Sequence, residues 1–316
     1  MKSNFELVRD FKSYIHNTSD LKFNFVMYDN YEKDLINFEL PYKHRWSPIY
    51  RNFVLAKMYG INDFWEARNR PEITFLTLTT YQGNTKTTRA ARGESVSILE
   101  AFDLLYDSWR KLRVSMAKNI IGHSFDYVGI VEPHLSGYPH MHVIIFEPLS
   151  DNQINSIKKL WSEKYKAGSY RRGVNAEKNE DIELKCRDDI KNIGFYAFKY
   201  LGKSFGKDPF SMTRGELLFS AALHHNHRRQ ILCSRSVSAF LKERQMKRLS
   251  ENIERKIDLG ADPFEFDSKR FDFCRSYLIT PDCAYVLKDH LKGCYHSYFL
   301  DSDMLVCDTS SRLDTG

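Results

Sequence analysis

Hydrophobic and polar positions change their spacing along the chain, and these changes predict where strands and helices lie. Residues 73–80 form a run of β-branched and apolar residues that includes Phe75, which is typical of a buried strand. Residues 95–120 instead repeat apolar residues with a helical spacing, which predicts an amphipathic helix. The apolar stripe of this helix consists of Ile98, Ala101, Phe102, Leu105, Trp109 and Leu112.

Two further strands are predicted close together, over residues 127–132 and 140–146, with a turn signal at Ser136-Gly137 between them. Strands joined by so short a turn pair in antiparallel fashion. The other predicted elements are helices over 152–165, 188–203, 215–225 and 239–256 and strands over 181–186 and 231–233. The expected fold class is therefore α+β, with a central, mainly antiparallel β-sheet flanked by helices.

The chain divides by pattern into three regions. Residues 1–70 have helical spacing around 4–14 and 48–59 and contain no chemical motif, which predicts a helical N-terminal extension. Residues 71–240 hold the predicted sheet and form the central domain. Residues 241–316 are expected to be a C-terminal extension, with a basic helix followed by an acidic tail.

Composition places the chain among ordinary globular proteins, because 42% of its residues are hydrophobic and 28% are charged. No apolar run approaches the roughly 18 residues that span a bilayer, and the N-terminus lacks a signal-like apolar core. We therefore expect a cytoplasmic location and no membrane partner. The six cysteines lack the paired spacing of zinc sites, and we interpret them as reduced thiols.

Positive charge is concentrated in the middle of the chain. Residues 151–250 contain 21 lysines and arginines against 11 acidic residues, whereas residues 251–316 contain 8 against 13. A basic central region suits a polyanion such as nucleic acid, although a solvated charged surface has the same composition.

A candidate metal site lies around the predicted hairpin. His140 and His142 share one face of their strand because side chains alternate along a strand. If His134 pairs opposite His140, then Glu132 falls opposite His142 and all four side chains share that face. Two histidines and a carboxylate suit Mn, Fe or Zn well and Mg²⁺ tolerably. Glu132 is the predicted third ligand. His134 either takes its place or contacts one of the metal ligands without binding the metal itself.

A candidate nucleophile lies in the predicted helix 188–203. Tyr196 and Tyr200 are one turn apart, about 40° on the helical wheel, and Lys199 and Lys203 lie beside them. A neighbouring lysine or metal favours the phenolate form of tyrosine, which is the better nucleophile. The same spacing also fits two tyrosines that simply pack beside a basic helix.

Residues 197–204 also fit a relaxed phosphate-binding pattern of the Walker type. Such a loop needs a flexible glycine-rich segment between a strand and a helix, so that backbone amides converge on the phosphates. Phe198, Lys199, Tyr200 and Leu201 in a helix cannot form that loop. We therefore expect no ATP binding.

These motifs, taken in order, resemble those of the HUH endonucleases, specifically the two-tyrosine rolling-circle replication initiators of plasmids and viruses. Residues 75–79 resemble the first motif, a structural strand, and residues 132–142 resemble the metal motif. Residues 196–203 resemble the nucleophile motif in its two-tyrosine form. The resemblance covers roughly residues 71–240 and implies a ferredoxin-like core.

The resemblance implies an enzyme that nicks and rejoins single-stranded DNA at an origin. A divalent metal, Mg²⁺ or Mn²⁺, would be held by His140, His142 and, as the third ligand, Glu132, and a tyrosine would form a 5′-phosphotyrosine bond. The implied partners are single-stranded or hairpin origin DNA and the host replication machinery. The candidate residues for gripping the DNA backbone are Arg171, Arg172, Arg228, Arg229 and Arg235.

Other functions share parts of this pattern. A transposase or a conjugative relaxase would use the same catalytic core in a different genetic context. A catalytically inactive regulator that binds the origin would have the same β-sheet but would not cleave DNA.

Overall fold

The computed structural model describes residues 2–18, 22–30, 32–41, 45–80, 96–168, 182–187, 209–258, 271–279 and 284–287. The chain divides into two compact units. One comprises Met1–Phe11 and Lys57–Leu241, and the other comprises Lys12–Ala56 and Lys242–Gly316.

The first unit is built on a five-stranded antiparallel sheet with strand order β6-β3-β5-β4-β7. Its strands are β3 (Ile73–Thr79), β4 (Tyr127–Pro133), β5 (Pro139–Ile145), β6 (Ile182–Arg187) and β7 (Ile231–Cys233). Strand β5 lies in the middle, between β3 and β4. Side chains of β5 therefore have neighbours on both sides.

Helix α3 (Ile98–Ser115) covers one face of this sheet. It begins with a capping box, in which Ser97 accepts from the backbone N–H of Glu100 and the Glu100 carboxylate accepts from the N–H of Ser97. The predicted apolar stripe is buried along its whole length. The ring of Trp109 packs edge-on against Tyr127 at 5.2 Å between centroids. Since Tyr127 and Glu132 are five positions apart on β4, Glu132 faces the opposite side of the sheet.

Two other helices of the first unit are α4 (Asp151–Lys159) and α5 (Arg214–His225). Both begin with capping boxes. Helices α3 and α4 each continue into a π-helical turn, at Met116–Ile121 and Leu160–Lys164. In the second turn, Trp161 is fully buried and its Nε1 donates to the Thr79 carbonyl at 3.1 Å, which anchors the turn to the end of β3.

The second unit contains a four-stranded antiparallel sheet with strand order β2-β1-β8-β9. The strands are β1 (Lys22–Asp29), β2 (Asp34–Pro41), β8 (Phe271–Ile279) and β9 (Ala284–Leu287). Three helices contribute residues to both units, namely α1 (Asn4–Thr18), α2 (Pro48–Glu66) and α6 (Arg235–Asp258). None of the helices in the described part of the chain is long and apolar enough to cross a bilayer.

The predicted α+β class is confirmed, as is the antiparallel pairing of the central strands. The two helices predicted within residues 1–70 are present, but this region also contains β1 and β2, which the sequence analysis did not predict. Likewise, residues 241–316 contain β8 and β9 in addition to the predicted helix. Strand β1 pairs with β8, which lies near the other end of the sequence, and no local pattern predicts a pairing between such distant segments. The predicted helix 188–203 lies outside the described residues.

Candidate metal centre

Three side chains meet on the face of the first unit's sheet that is opposite to α3. Oε1 of Glu132 lies 2.6 Å from Nε2 of His140 and 2.8 Å from Nε2 of His142. The two Nε2 atoms are 3.0 Å apart. Glu132 and His142 are buried and His140 is nearly so.

The strand register differs from the one assumed in the sequence analysis. Glu132 lies opposite His140, and Ile130 lies opposite His142. The assumed pairing of His134 with His140 and of Glu132 with His142 was wrong by two residues. A two-residue shift keeps the side chains of the paired strands on their faces, so Glu132, His140 and His142 share a face as predicted, whereas the paired positions of this register end before His134.

His134 lies beyond the paired part of the hairpin, in the turn. Its backbone N–H donates to the Tyr138 carbonyl at 2.8 Å, and its Nδ1 is 3.2 Å from Oγ of Ser136. Its ring approaches that of His140 edge-on at 6.1 Å between centroids. The structure therefore brings Glu132, rather than His134, into contact with the two strand histidines.

The charge state of Glu132 follows from competing effects. Burial by itself would raise the pKa of this carboxyl, but hydrogen bonds with His140 and His142, together with their charges, outweigh burial and lower the pKa to about 2. Glu132 is consequently an anion throughout the physiological pH range.

The donor set fits a divalent metal ion. The ligand atoms of Glu132, His140 and His142 lie within 4.8 Å of one another, which makes the trio a candidate group for binding a metal. One carboxylate oxygen and two imidazole nitrogens are the ligands that Mn, Fe and Zn prefer. An anionic carboxylate would also offset the charge of the cation.

Two residues of β3 support His142, and the sequence analysis did not single them out for this role. Thr77 lies directly opposite His142, and its Oγ1 is 3.0 Å from Nδ1 of the imidazole. The ring of Phe75 stacks on the His142 ring at 5.3 Å between centroids and 26° between planes. Alternation along β3 places Phe75 and Thr77 on one face, but only the pairing of β3 with β5 shows which face this is.

The turn of the hairpin is held against the start of α5. Gly137 has a φ of +86°, and a Cβ at this position would lie 2.8 Å from the Gly215 carbonyl oxygen. A Cβ at Gly215 would in turn lie 2.5 Å from the carbonyl oxygen of Leu135. This close backbone approach requires glycine on both sides. It fixes the loop that joins the strand of Glu132 to the strand of the histidines.

Six of the predicted site residues lie outside the described part of the chain, namely Tyr196, Tyr200, Lys199, Lys203, Arg171 and Arg172. Their roles therefore stay predictions from the sequence.

The three other arginines proposed to contact DNA differ in their surroundings. Arg228 forms an ion pair with Asp103, with 2.8 Å between Nη2 and Oδ1, and its guanidinium lies over the Tyr106 ring. The Tyr106 hydroxyl donates to the backbone carbonyl of Arg229. The side chains of Arg229 and Arg235 are exposed. The Arg228 side chain thus makes contacts with other residues of the protein, whereas the side chains of Arg229 and Arg235 are exposed to solvent.

Comparison with known proteins gives one family and one relative. The family described as "Putative rep protein (DUF1424)" matches residues 2–258. A protein of Halobacterium salinarum described as "Uncharacterized 36 kDa protein" is 23% identical over 220 residues, which are 63% of this chain. The match spans 64% of the length of that relative. No solved structure matches the chain.

Proposed function

The chain belongs to the Rep protein family that it matches over residues 2–258, and on this premise we propose that it is a replication initiator that nicks and rejoins single-stranded DNA. Rep proteins are named for replication, and the family match supports a role in replication. The nicking chemistry is proposed from the metal group and the two tyrosines.

The observation that carries the proposal is the Glu132–His140–His142 group. Its three ligand atoms converge on one face of the central sheet. A divalent cation bound there would supply Lewis-acid polarisation of a scissile phosphate. Either Mg²⁺ or Mn²⁺ meets this need, and the mixed nitrogen and oxygen ligands favour Mn²⁺. The resemblance of the surrounding sequence to the metal motif of HUH endonucleases supports the same assignment.

The two tyrosines carry out the covalent step. The phenolic oxygen of Tyr196 or Tyr200 attacks the scissile phosphorus, and the bond between phosphorus and the 3′ oxygen breaks. The phosphate stays on the 5′ end of the downstream fragment as a phosphotyrosine, and the proton lost by the phenol is taken up by the departing 3′ oxygen. The free 3′-hydroxyl then primes synthesis. Lys199 and Lys203 stabilise negative charge near the phosphate.

Rejoining is the reverse reaction with a new 3′ end. A 3′-hydroxyl attacks the phosphotyrosine, the ester to the tyrosine breaks, and the strand is restored. Because the phosphotyrosine retains the energy of the broken bond, this step needs no ATP. A second tyrosine would allow a second cut after the strand has been copied.

The substrate and surroundings follow from the same chemistry. The target strand must be single-stranded or extruded as a hairpin for a tyrosine to reach the phosphorus in line. We propose that exposed basic residues such as Arg229 and Arg235 contact its backbone. We propose that the host replication machinery extends the 3′ end and that the protein acts in the cytoplasm of a microbial cell.

The proposal is tested by covalent capture of DNA. Single-stranded oligonucleotides that tile the replicon carrying the gene, labelled at their 3′ ends, are incubated with the full chain and Mn²⁺. A tyrosine that retains the 5′ phosphate keeps the 3′ label, so we expect a labelled band at the size of the protein in a denaturing gel. EDTA should abolish this band.

Two variants assign the band to the proposed residues. The double change Tyr196→Phe and Tyr200→Phe should abolish the adduct while leaving DNA binding intact. Tyr59→Phe, an exposed tyrosine on α2, is the matched control and should form the adduct normally. An adduct that persists in the double variant would refute the nucleophile assignment. DNA binding without any adduct in the unaltered protein would instead indicate an inactive origin-binding regulator.

A further inference from the structure

We propose that Thr77 is a positioning residue of the metal centre, whose hydroxyl orients the imidazole of His142 and supports both neutral forms of that ring. This inference rests on the proposed function only in that it takes the Glu132–His140–His142 group to bind a cation. It goes beyond that function by assigning a task to the first sequence motif, which was interpreted as a purely structural strand.

Contacts from three strands hold the His142 ring. Thr77 lies directly across the strand pair, with its Oγ1 3.0 Å from Nδ1. Phe75 stacks on the ring face. Glu132 meets the opposite nitrogen, Nε2, at 2.8 Å. Thr77 and His142 are both buried, so these protein groups rather than bulk water set the orientation of the ring.

The hydroxyl of Thr77 suits this position because it can donate or accept. A neutral imidazole carries one N–H, and its other nitrogen is an acceptor. Without a cation, the anionic Glu132 favours a proton on Nε2, and Nδ1 then accepts from the Thr77 hydroxyl. When a cation occupies Nε2, the proton must lie on Nδ1, and the same hydroxyl rotates to accept from it.

Other hydrogen-bond partners of Nδ1 would suit only one of the two neutral forms of the His142 ring. A backbone carbonyl or a carboxylate can only accept, which would hold the proton on Nδ1 permanently. A backbone N–H can only donate, which would hold it on Nε2 and oppose the binding of a cation. A threonine on a strand directly opposite the ligand avoids both restrictions.

The test compares Mn²⁺ affinity, measured by isothermal titration calorimetry on the full chain without DNA. Thr77→Val preserves the shape of the side chain but removes the hydroxyl, and we expect its affinity to fall by roughly 10- to 100-fold. Thr77→Ser restores a hydroxyl and should retain most of the affinity. Thr79→Val is the matched control, since Thr79 lies on the same face of β3, opposite His140. Its affinity should stay near that of the unaltered protein.

A second readout follows the ring itself. Long-range ¹H–¹⁵N spectra distinguish the two neutral forms of histidine. In the metal-free protein we expect the His142 signals to change in Thr77→Val and to stay unchanged in Thr77→Ser. Addition of Zn²⁺, a diamagnetic ion, should move the proton of His142 from Nε2 to Nδ1 in the unaltered protein.

The outcomes separate the two proposals. Normal Mn²⁺ affinity in Thr77→Val, or His142 signals that the change does not affect, would overturn the role of Thr77 while leaving the metal centre in place. Failure of the unaltered protein to bind Mn²⁺ or Zn²⁺ would overturn the metal centre of the proposed function. The metal-free spectra would still decide whether Thr77 orients the ring.

Discussion

Glu132 and His140 lie directly opposite each other on adjacent antiparallel strands, and Oε1 of the carboxylate is 2.6 Å from Nε2 of the imidazole. The same oxygen also contacts Nε2 of His142. Because one carboxylate oxygen serves two imidazoles, each of the three side chains depends on the other two.

Removal of either strand histidine should weaken metal binding. We expect His140→Ala and His142→Ala each to lower Mn²⁺ affinity by at least about 10-fold, because loss of a ligand costs no less than loss of a group that supports one. Electron paramagnetic resonance of free Mn²⁺ measures the affinity. His134→Ala is the matched control on the same hairpin, since His134 lies outside the converging trio. Equal losses in all three variants would contradict the assignment of the ligands.

The stability of the metal-free protein should depend on the ionisation of Glu132. Its folded-state pKa of about 2 is below the ordinary 4.5, so its ionised form stabilises the fold at pH values above 4.5. This contribution should disappear as the pH falls through about 2. Glu132→Gln lacks the ionisation, and its deficit in unfolding free energy should therefore shrink as the pH is lowered from 5 to 2.

Urea unfolding at several pH values in EDTA measures this effect. Glu72→Gln, at an exposed position, provides the baseline for the loss of one carboxyl. A deficit for Glu132→Gln that stays constant or grows towards pH 2 would contradict the predicted direction.

The close approach of the hairpin turn to α5 should make Gly137 more sensitive to substitution than Gly122. Both glycines have left-handed backbone angles, with φ of +86° and +90°. Alanine at either position should lower the free energy of unfolding by about 1 kcal/mol or more, because L residues rarely adopt this backbone conformation. Alanine at 137 also places its Cβ 2.8 Å from the Gly215 carbonyl oxygen, whereas nothing lies within 4 Å at position 122. Chemical denaturation should show a clearly larger loss for Gly137→Ala, and equal losses would show that the turn shifts freely.

The two neighbouring arginines after α5 should contribute unequally to DNA binding. Arg229 is exposed, whereas Arg228 is paired with Asp103. If Arg229 contacts one phosphate of a single strand, Arg229→Ala should reduce the salt dependence of affinity by about 0.7 in the log–log slope. Arg228→Ala, the matched control, should change this slope less. Fluorescence anisotropy of a labelled oligonucleotide across a salt series measures both, and identical slopes for Arg229→Ala and the unaltered protein would exclude the contact.

Much of the first unit could be predicted because its signals are local. The stripe from Ile98 to Leu112 forms one face of a helix whatever else surrounds it, and that face is buried. The strand at Ile73–Thr79 follows from a run of β-branched and apolar residues, and the strand at Pro139–Ile145 follows from a turn signal and the apolar residues at its end. Strands β1 and β2 form a local hairpin that the sequence analysis missed, whereas the pairing of β1 with β8 joins opposite ends of the chain and has no local signal.

For the metal centre, the amino-acid sequence was enough to place His140 and His142 on one face of their strand, because alternation along a strand depends only on whether positions are odd or even. Glu132 lies on the neighbouring strand, and its place on that face depends on the register between the two strands. Tertiary structure alone decided which residues meet. The register placed Glu132 opposite His140, moved His134 into the turn, and brought Thr77 of β3 against His142. Register depends on hydrogen bonds and packing between strands that can be distant in sequence. The sequence of one strand therefore does not predict how its partner is aligned with it.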